Sequence, residues 1–384
     1  MMQTDTGVPW ESEECFPEKP VGQDYGYLER GKFVGCTREQ LIARCSGMEL
    51  PDVELVWHPG SPRLVPVMTV DFLLDSLRIR EKAVLRQNMR VAGFNVLVFL
   101  VCGLVVLKHG ENLSNGYFIL VVCFGVLFGV WPMWDSWKDL RNFDKMKWDT
   151  SAAATAFDRY AAWVGTRSSR VTWLIMGAIA LVGLAQVIVS TNSIYQAGLV
   201  KQAVLKNGQW WRLATAPFLH GGLIHFVFNA SALIGLGRLA EALAGGRRVA
   251  IVFAFSALGG GILSLFFLPH STSVGASGGL LGLIGFLLVL GWRRKTILPP
   301  GFVRIFVINV ILVAVMGAVA YSVVDNAAHF GGFLCGVASG LIMVKTNSRM
   351  PLPATVWSKM LGILSISLII LSALFATCKI LGKI

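Results

Sequence analysis

Residues 275–295 read GASGGLLGLIGFLLVLGWRRK, and residues 328–345 read AHFGGFLCGVASGLIMVK. Between Ser277 and Trp292, and again between Phe330 and Val344, no side chain carries a charge, and both runs end on Lys or Arg. Runs of this kind approach the ~20 apolar residues that a helix needs to cross a bilayer. Each starts with a polar group capable of chemistry, Ser277 in one and His329 in the other. Gly278, Gly282 and Gly285 on the first and Gly332 and Gly336 on the second follow the small-xxx-small spacing that lets two membrane helices approach closely.

The rest of the chain agrees with a membrane setting. Of 384 residues, 54% are hydrophobic and only 15% charged, and the mean hydropathy is +0.63. Such a composition excludes an ordinary soluble globular protein. A window of membrane-crossing length finds about nine candidate spans: near residues 91–108, 116–134, 171–190, 222–244, 249–268, 277–292, 302–323, 328–345 and 360–378. No segment repeats another in the way that duplicated transporter halves do. The fold class expected is therefore an all-α polytopic membrane protein preceded by a small soluble α+β domain.

The net charge of +12 reads as loop charge that sets orientation rather than as a nucleic-acid surface. Arg78, Arg80, Lys82, Arg86 and Arg90 precede the first span. Lys138, Arg141, Lys145, Lys147, Arg167 and Arg170 lie between the second and third, Arg247 and Arg248 follow the fourth, and Arg293, Arg294 and Lys295 follow the sixth. All of these loops are cytoplasmic if the N-terminus is, and the odd number of spans then puts the C-terminus outside, with Lys379 and Lys383 as a mild exception. The expected setting is a bacterial-type inner membrane, with an organellar membrane left open; the first residues lack the features of a signal peptide and, with acids and no Arg, do not look like a transit peptide. Seven Cys without paired or zinc-type spacing imply neither a disulfide framework nor a metal knuckle.

Within the polar N-terminal region, Gly26 to Cys36 alternates as a short strand. Thr37-Arg38-Glu39-Gln40 is a capping box opening a helix through Cys45, and Val53 to Trp57 is a second strand before a Pro-Gly turn. This order, GKFVGCTREQLIARCSG followed by ELVWHPGSPRLVPV, resembles the small GYF-like domains of bacterial membrane proteins, which implies a peptide or protein partner. The domain division that follows is 1–70 for this cytoplasmic domain, 71–90 for a basic linker, 91–170 for a hairpin of spans with its loop, 171–345 for a core, and 346–384 for a last span.

Polar groups within membrane spans are costly and mark function by default. His225 and Asn229 are i and i+4, stacked near the outer end of the fourth span. In the expected topology Ser277, His329, His225 and Asn229 share one depth at the outer side. Ser277 needs a base to become a nucleophile, and His329 is the imidazole that can serve. The helix start at Gly275-Ala276-Ser277 leaves free N–H groups, and with the Asn229 amide and the His225 imidazole these suit the oxyanion of an attacked peptide carbonyl. Trp211 and Arg212 read as anchors of the outer loop at the lipid interface.

Each residue also has a plain structural reading. Alone, Ser277 is a helix cap and His329 a hydrogen-bonded interior histidine; their occurrence together with His225 and Asn229 favours catalysis. Gly275-Ala276-Ser277-Gly278-Gly279 fits the hydrolase elbow, but apolar helices flank it where that elbow needs a strand. His220, His225 and His329 lack an inward acid and an HExxH pattern, so no metal and no cofactor are expected. His220 reads equally as a loop-stabilising group, a water-holding group or a cap. Asp325 reads as a solvated rim residue or a cap rather than a relay, and His58, His109 and His270 as solvent-exposed.

Taken together, the motifs resemble the rhomboid family of intramembrane serine proteases over roughly residues 170–345. The GxSG serine corresponds to Ser277, the histidine of AHxxGxxxG to His329, the HxxxxHxxxN residues to His220, His225 and Asn229, and the Trp-Arg of the first outer loop to Trp211 and Arg212. The resemblance implies a six-helix core with two additional spans before it and one after, and a Ser-His dyad without a third acid. It also implies transmembrane substrates cut near the outer face, with the span at Phe302 to Val323 as a lateral gate. One departure is Leu281, where the family often has an aromatic ring against the histidine. The expected partners are transmembrane protein substrates, membrane lipid and a ligand of the N-terminal domain; the alternative function is a rhomboid-like protein that binds clients without cutting them.

Overall fold

The computed structural model describes residues 8–29, 31–47, 55–108, 116–145, 155–189, 192–345 and 350–383. The chain divides into two compact units, Met1–Thr166 and Arg167–Ile384.

In the first unit, β1 (Tyr25–Glu29), β2 (Lys32–Cys36), β3 (Leu55–Trp57) and β4 (Val65–Pro66) form an antiparallel sheet in the order β2-β1-β3-β4. The single strand expected over Gly26 to Cys36 is a hairpin. Gly31, at φ +77°, supplies the left-handed residue of its turn, and Tyr25 pairs with Cys36. Alternation persists through a hairpin, so period alone misses the reversal. Residues 53 and 54 of the second expected strand lie outside the described residues. The capping box forms as expected: the Thr37 hydroxyl accepts from Gln40 N–H and Gln40 Oε1 accepts from Thr37 N–H, opening α1 (Arg38–Ser46). Tyr27, Leu41, Cys45 and Val56 make a core with Leu73 and Leu77. Leu77 belongs to α2 (Leu74–Lys108), so the basic run Arg78 to Arg90 is the first half of the same helix that becomes the first apolar span. α3 (Gly116–Gly125) and α4 (Trp131–Asn142) follow, joined by a π-helical segment Val126–Val130, and α5 (Ala156–Gly165) packs Trp163 against Trp10. His58 is half-buried rather than exposed, its Nδ1 accepting from Gly60 N–H at 3.1 Å; His270 is exposed, and His109 lies outside the described residues.

The second unit starts with α6 (Arg170–Val189), followed by the short elements α7 (Ser193–Ala197), β5 (Leu199–Val200), α8 (Lys201–Asn207) and α9 (Arg212–Thr215). Then come α10 (Leu223–Ala244), α11 (Gly246–Phe267), β6 (Thr272–Ser273), α12 (Ser277–Arg293), α13 (Phe302–Val319), α14 (Asn326–Met343) and α15 (Val356–Ile380). Among the described residues seven helices are long and apolar enough to cross a membrane: the one over Asp71–Lys108, α6, α10, α11, α13, α14 and α15. Two of the expected spans depart from that rule for physical reasons. The 116–134 segment is divided by its π turn, and α12 has only 17 residues, a rise of about 25 Å. A helix that short suffices because it is the buried centre of the unit, walled by α10, α11, α13 and α14. The outer helices carry the lipid-compatible faces: Ile305, Ile308, Ile311 and Val315 of α13 are all exposed.

The glycine spacing does what it implies. A Cβ on Gly332 would lie 2.7 Å from Gly278 C and 2.9 Å from its Cα, and one on Gly336 would meet the backbone of Gly282 at 2.6 Å. α12 and α14 thus touch backbone to backbone. The seam extends to α11, where a Cβ on Gly331 would lie 3.0 Å from Gly259 O.

Glu241, at the end of α10 and buried, accepts from Val171 N–H at 3.0 Å, Thr172 N–H at 2.9 Å and Thr172 Oγ1–H at 2.8 Å. It caps the start of α6 across the unit. Glu241→Ala strands those buried donors and is expected to lower stability by about 2–4 kcal/mol, with Glu241→Gln, which keeps an acceptor oxygen, losing less. Unfolding midpoints in detergent check the order wild type, Gln, Ala.

Candidate active site

The loop before α12 is set by Gly275, whose φ of +121° is open to glycine and strained for other residues. Its N–H donates to Ala216 O at 3.0 Å. A Cβ at this position would come within 2.7 Å of His225 Cε1 and 2.9 Å of Nε2, so the imidazole stands directly against the backbone two residues before Ser277. Gly221 N–H donates to His225 Nδ1 at 3.4 Å, which leaves the proton of a neutral ring on Nε2, beside Gly275. Asn229 lies one turn further along α10, buried, and its Nδ2–H donates to His225 O at 2.9 Å.

Ser277 is the first residue of α12 and partly exposed. The opening turn of a helix has N–H groups without intrahelical acceptors, and here they are those of Ser277 and its neighbours. His329, also partly exposed, is in the first turn of α14, its N–H donating to Asp325 O at 3.1 Å. The two first turns lie side by side: a Cβ on Gly278 would be 3.5 Å from Ala328 O. Among the described residues no hydrogen bond joins Ser277 Oγ to the His329 ring, and His329 Nδ1 is buried without a partner. Catalytic contacts of this sort are often long before substrate binds.

Asp325 does not fill the vacancy at Nδ1. Its Oδ1 accepts from Ala328 N–H at 2.9 Å, capping α14, and its Oδ2 accepts from the Ser264 and Ser273 hydroxyls. Lys201 Nζ, wholly buried, lies 3.6 Å from the same Oδ2 and donates to Ser271 Oγ at 2.6 Å. Asp325 is therefore the cap expected but not the solvated rim residue expected. Burial by itself would raise its pKa; the hydrogen bonds from Ser264, Ser273 and Ala328 and the charge of Lys201 outweigh that and hold it below the usual carboxylate range. Lys201 and this carboxylate escaped the sequence reading as a pair, since nothing local marks residues so far apart.

His220 is buried, with its ring edge-on to His225 at 5.2 Å and to Phe226 at 5.5 Å. Gln186 of α6 holds its backbone from both sides, accepting from His220 N–H at 2.9 Å and donating to His220 O at 3.0 Å. Among the described residues neither ring nitrogen has a hydrogen-bond partner. Burial, aided by His225, pushes the His220 pKa from 6.5 down to about 3. The unfolded chain then binds a proton below pH 6.5 that the folded chain refuses, so stability is full above 6.5 and falls as pH drops, approaching about 1.4 kcal/mol per pH unit. Unfolding midpoints at pH 7.5 and 5 are expected to diverge in the wild type and to diverge less in His220→Phe.

Arg212 and Trp211 anchor the loop, but on protein rather than lipid. The Arg212 guanidinium, buried, donates to Tyr195 O at 2.9 Å, Gly198 O at 2.8 Å and Gln209 Oε1 at 2.6 Å. Trp211 packs edge-on against Phe375 of α15, ring centres 5.2 Å apart. Among the described residues no group of three or more His, Cys, Asp and Glu could hold a metal.

Residues 207–346 match the family profile described as "Rhomboid domain". RHOMBOID-like protein 6, mitochondrial, of Arabidopsis thaliana is 39% identical over 162 residues, covering 40% of this chain and 51% of that protein. RHOMBOID-like protein 4 of the same plant is 35% identical over 147 residues, 38% of this chain and 37% of its own length. Rhomboid protease GluP of Bacillus subtilis (strain 168) is 31% identical over 150 residues, 38% of this chain and 29% of GluP. The chain spans about half or less of the length of these relatives. Residues 207–346 are thus similar to a rhomboid domain, within a multi-pass membrane protein whose described residues include seven helices long and apolar enough to cross a bilayer.

Proposed function

We propose that the chain is an intramembrane serine endopeptidase that cleaves transmembrane proteins near the outer face of the membrane. Ser277 Oγ attacks the scissile carbonyl as His329 takes its proton, and His329 then protonates the leaving amine. Water attacks the resulting ester with His329 again as base, releasing the acid and restoring the serine. His225 Nε2–H, the Asn229 amide and the Ser277 N–H receive the oxyanion. What carries this reading is the glycine seam that sets the first turns of α12 and α14 together while the His225 ring stands over the loop leading to Ser277. α13, whose apolar face is exposed, is the side through which a substrate helix enters from lipid.

The proposed placement is a bacterial-type inner membrane with the basic loops and the N-terminus in the cytoplasm. The proposed domain boundaries remain 1–70, 71–90, 91–170, 171–345 and 346–384. The N-terminal domain is read as GYF-like, with a partner peptide received in the groove lined by Tyr27, Val34, Cys36 and Arg44. A client-binding protein without protease activity is the second reading, favoured by the missing Ser277–His329 hydrogen bond and by Leu281, an aliphatic residue where a ring often braces the histidine.

A fluorophosphonate probe separates the two readings. The detergent-solubilised wild type is expected to form a covalent adduct and His329→Ala to lose it. A folded wild type that never labels would overturn the peptidase in favour of the client-binding protein.

A further inference from the structure

Four separate segments meet at one carboxylate. Asp325 sits just before α14, Ser264 near the end of α11, Ser273 in β6, and Lys201 directly after β5. β5 and β6 pair with each other, Leu199 opposite Ser273 and Val200 opposite Thr272, so Lys201 is delivered to the node by the same ladder that delivers Ser273. Each half of the proposed dyad lies four residues after a member of this node: Ser277 after Ser273 and His329 after Asp325. The glycine seam fixes the spacing of α12 and α14, and the node ties together the two segments that lead into them. The Lys201 end of the ion pair is wholly buried, so losing Asp325's charge leaves an uncompensated buried ammonium.

We infer that Asp325 and Lys201 form an internal latch that positions the Ser277 loop against the His329 turn, with both acting through other residues and neither touching substrate. This inference rests on the peptidase reading for its catalytic consequence, but the mechanical coupling of the two segments stands independently of it. Asp325→Asn keeps a cap for Ala328 N–H and a group that the Ser264 and Ser273 hydroxyls can bond, yet leaves Lys201 charged and buried. Lys201→Met leaves the carboxylate without its countercharge, held by its hydrogen bonds alone. Removing both charges together restores neutrality and keeps the hydrogen bonds at position 325, losing only the one from Lys201 to Ser271, so the double variant is the rescue.

The test uses the full chain in detergent micelles. Fluorophosphonate labelling gives a maximal rate and an apparent affinity, and amide exchange is followed over residues 272–279 and 325–331. Each single variant is expected to lower the maximal labelling rate by about 10- to 100-fold, the scale of a misplacement of about 1 Å, with apparent affinity nearly unchanged. Exchange is expected to quicken in both segments together, and Asp325→Asn with Lys201→Met to recover most of the labelling rate. Exchange that quickens in one segment only, or single losses that simply multiply in the double variant, would overturn the latch. If the wild type itself fails to label, the peptidase reading fails while the exchange measurement still decides the latch. Should either charge variant fail to fold, Ser273→Ala removes one link from a neutral side chain and is expected to quicken exchange in both segments; no change in either overturns the coupling.

Discussion

Ser277→Ala is expected to remove covalent capture by a fluorophosphonate and to reduce cleavage of a transmembrane substrate by about 10⁴-fold or more. The expectation is this large because, in the proposed mechanism, the Ser277 hydroxyl oxygen is the atom that forms the bond to substrate. The substitution deletes one oxygen from a partly exposed residue whose side chain makes no hydrogen bond to the His329 ring. The unfolding midpoint is accordingly expected to move little. Purified variant that still cleaves with the same pH dependence and inhibitor sensitivity would remove Ser277 from the mechanism. An unfolding midpoint that falls sharply would instead recast the residue as structural.

The second large effect concerns a group with no chemistry. At Gly332 a single methyl would lie 2.7 Å from the carbonyl carbon of Gly278, and the obstacle is backbone, so no rotamer change relieves it. α12 and α14 must move apart. Overpacking of this kind typically costs about 1–3 kcal/mol, and a displacement of about 1 Å between reacting groups can cost 10²-fold in rate. Gly332→Ala is therefore expected to lower the unfolding midpoint and to suppress labelling of Ser277, although it touches neither Ser277 nor His329. Gly177→Ala is the control, since nothing lies within 4 Å of a Cβ there in α6; it is expected to keep full labelling and, as alanine favours a helix, to lose no stability. Normal labelling by Gly332→Ala would show that the seam does not set the dyad.

The parts of this architecture that could be read beforehand are those written locally. The capping box at Thr37 and Gln40, the i and i+4 pair of His225 and Asn229, and the small-residue spacing on α12 and α14 all lie within a few turns of sequence. What escaped was written across distance or hidden by a shared period. The alternation of Gly26 to Cys36 is the same in one strand as in a hairpin, and only the turn at Gly31 separates them. Glu241 capping α6 and Lys201 meeting Asp325 are charged residues at the ends of elements, where loop charge is the ordinary explanation. Their partners are chosen by the packing of helices, and no local pattern names them. His220 illustrates the same limit: its spacing suggested several roles, and only the fold supplies a backbone clamp from Gln186 and a buried ring.

The arginines that close the helix ends alter how charge in this chain can be edited. Arg293 donates to Leu341 O at 2.8 Å and also to Val344 O, Arg294 donates to Lys345 O, and Arg248 donates to Ala244 O at 2.8 Å and Leu352 O at 3.0 Å. These are the same residues whose positive charge argues for a cytoplasmic loop. An engineer who moved them to invert the protein in the bilayer would at the same time uncap α14 and release the segment leading to α15. Lysine would preserve the charge tally but not the planar fork that bridges two carbonyls. Insertion signal and carpentry are carried by one set of atoms, so the orientation of this chain cannot be rewritten independently of its fold.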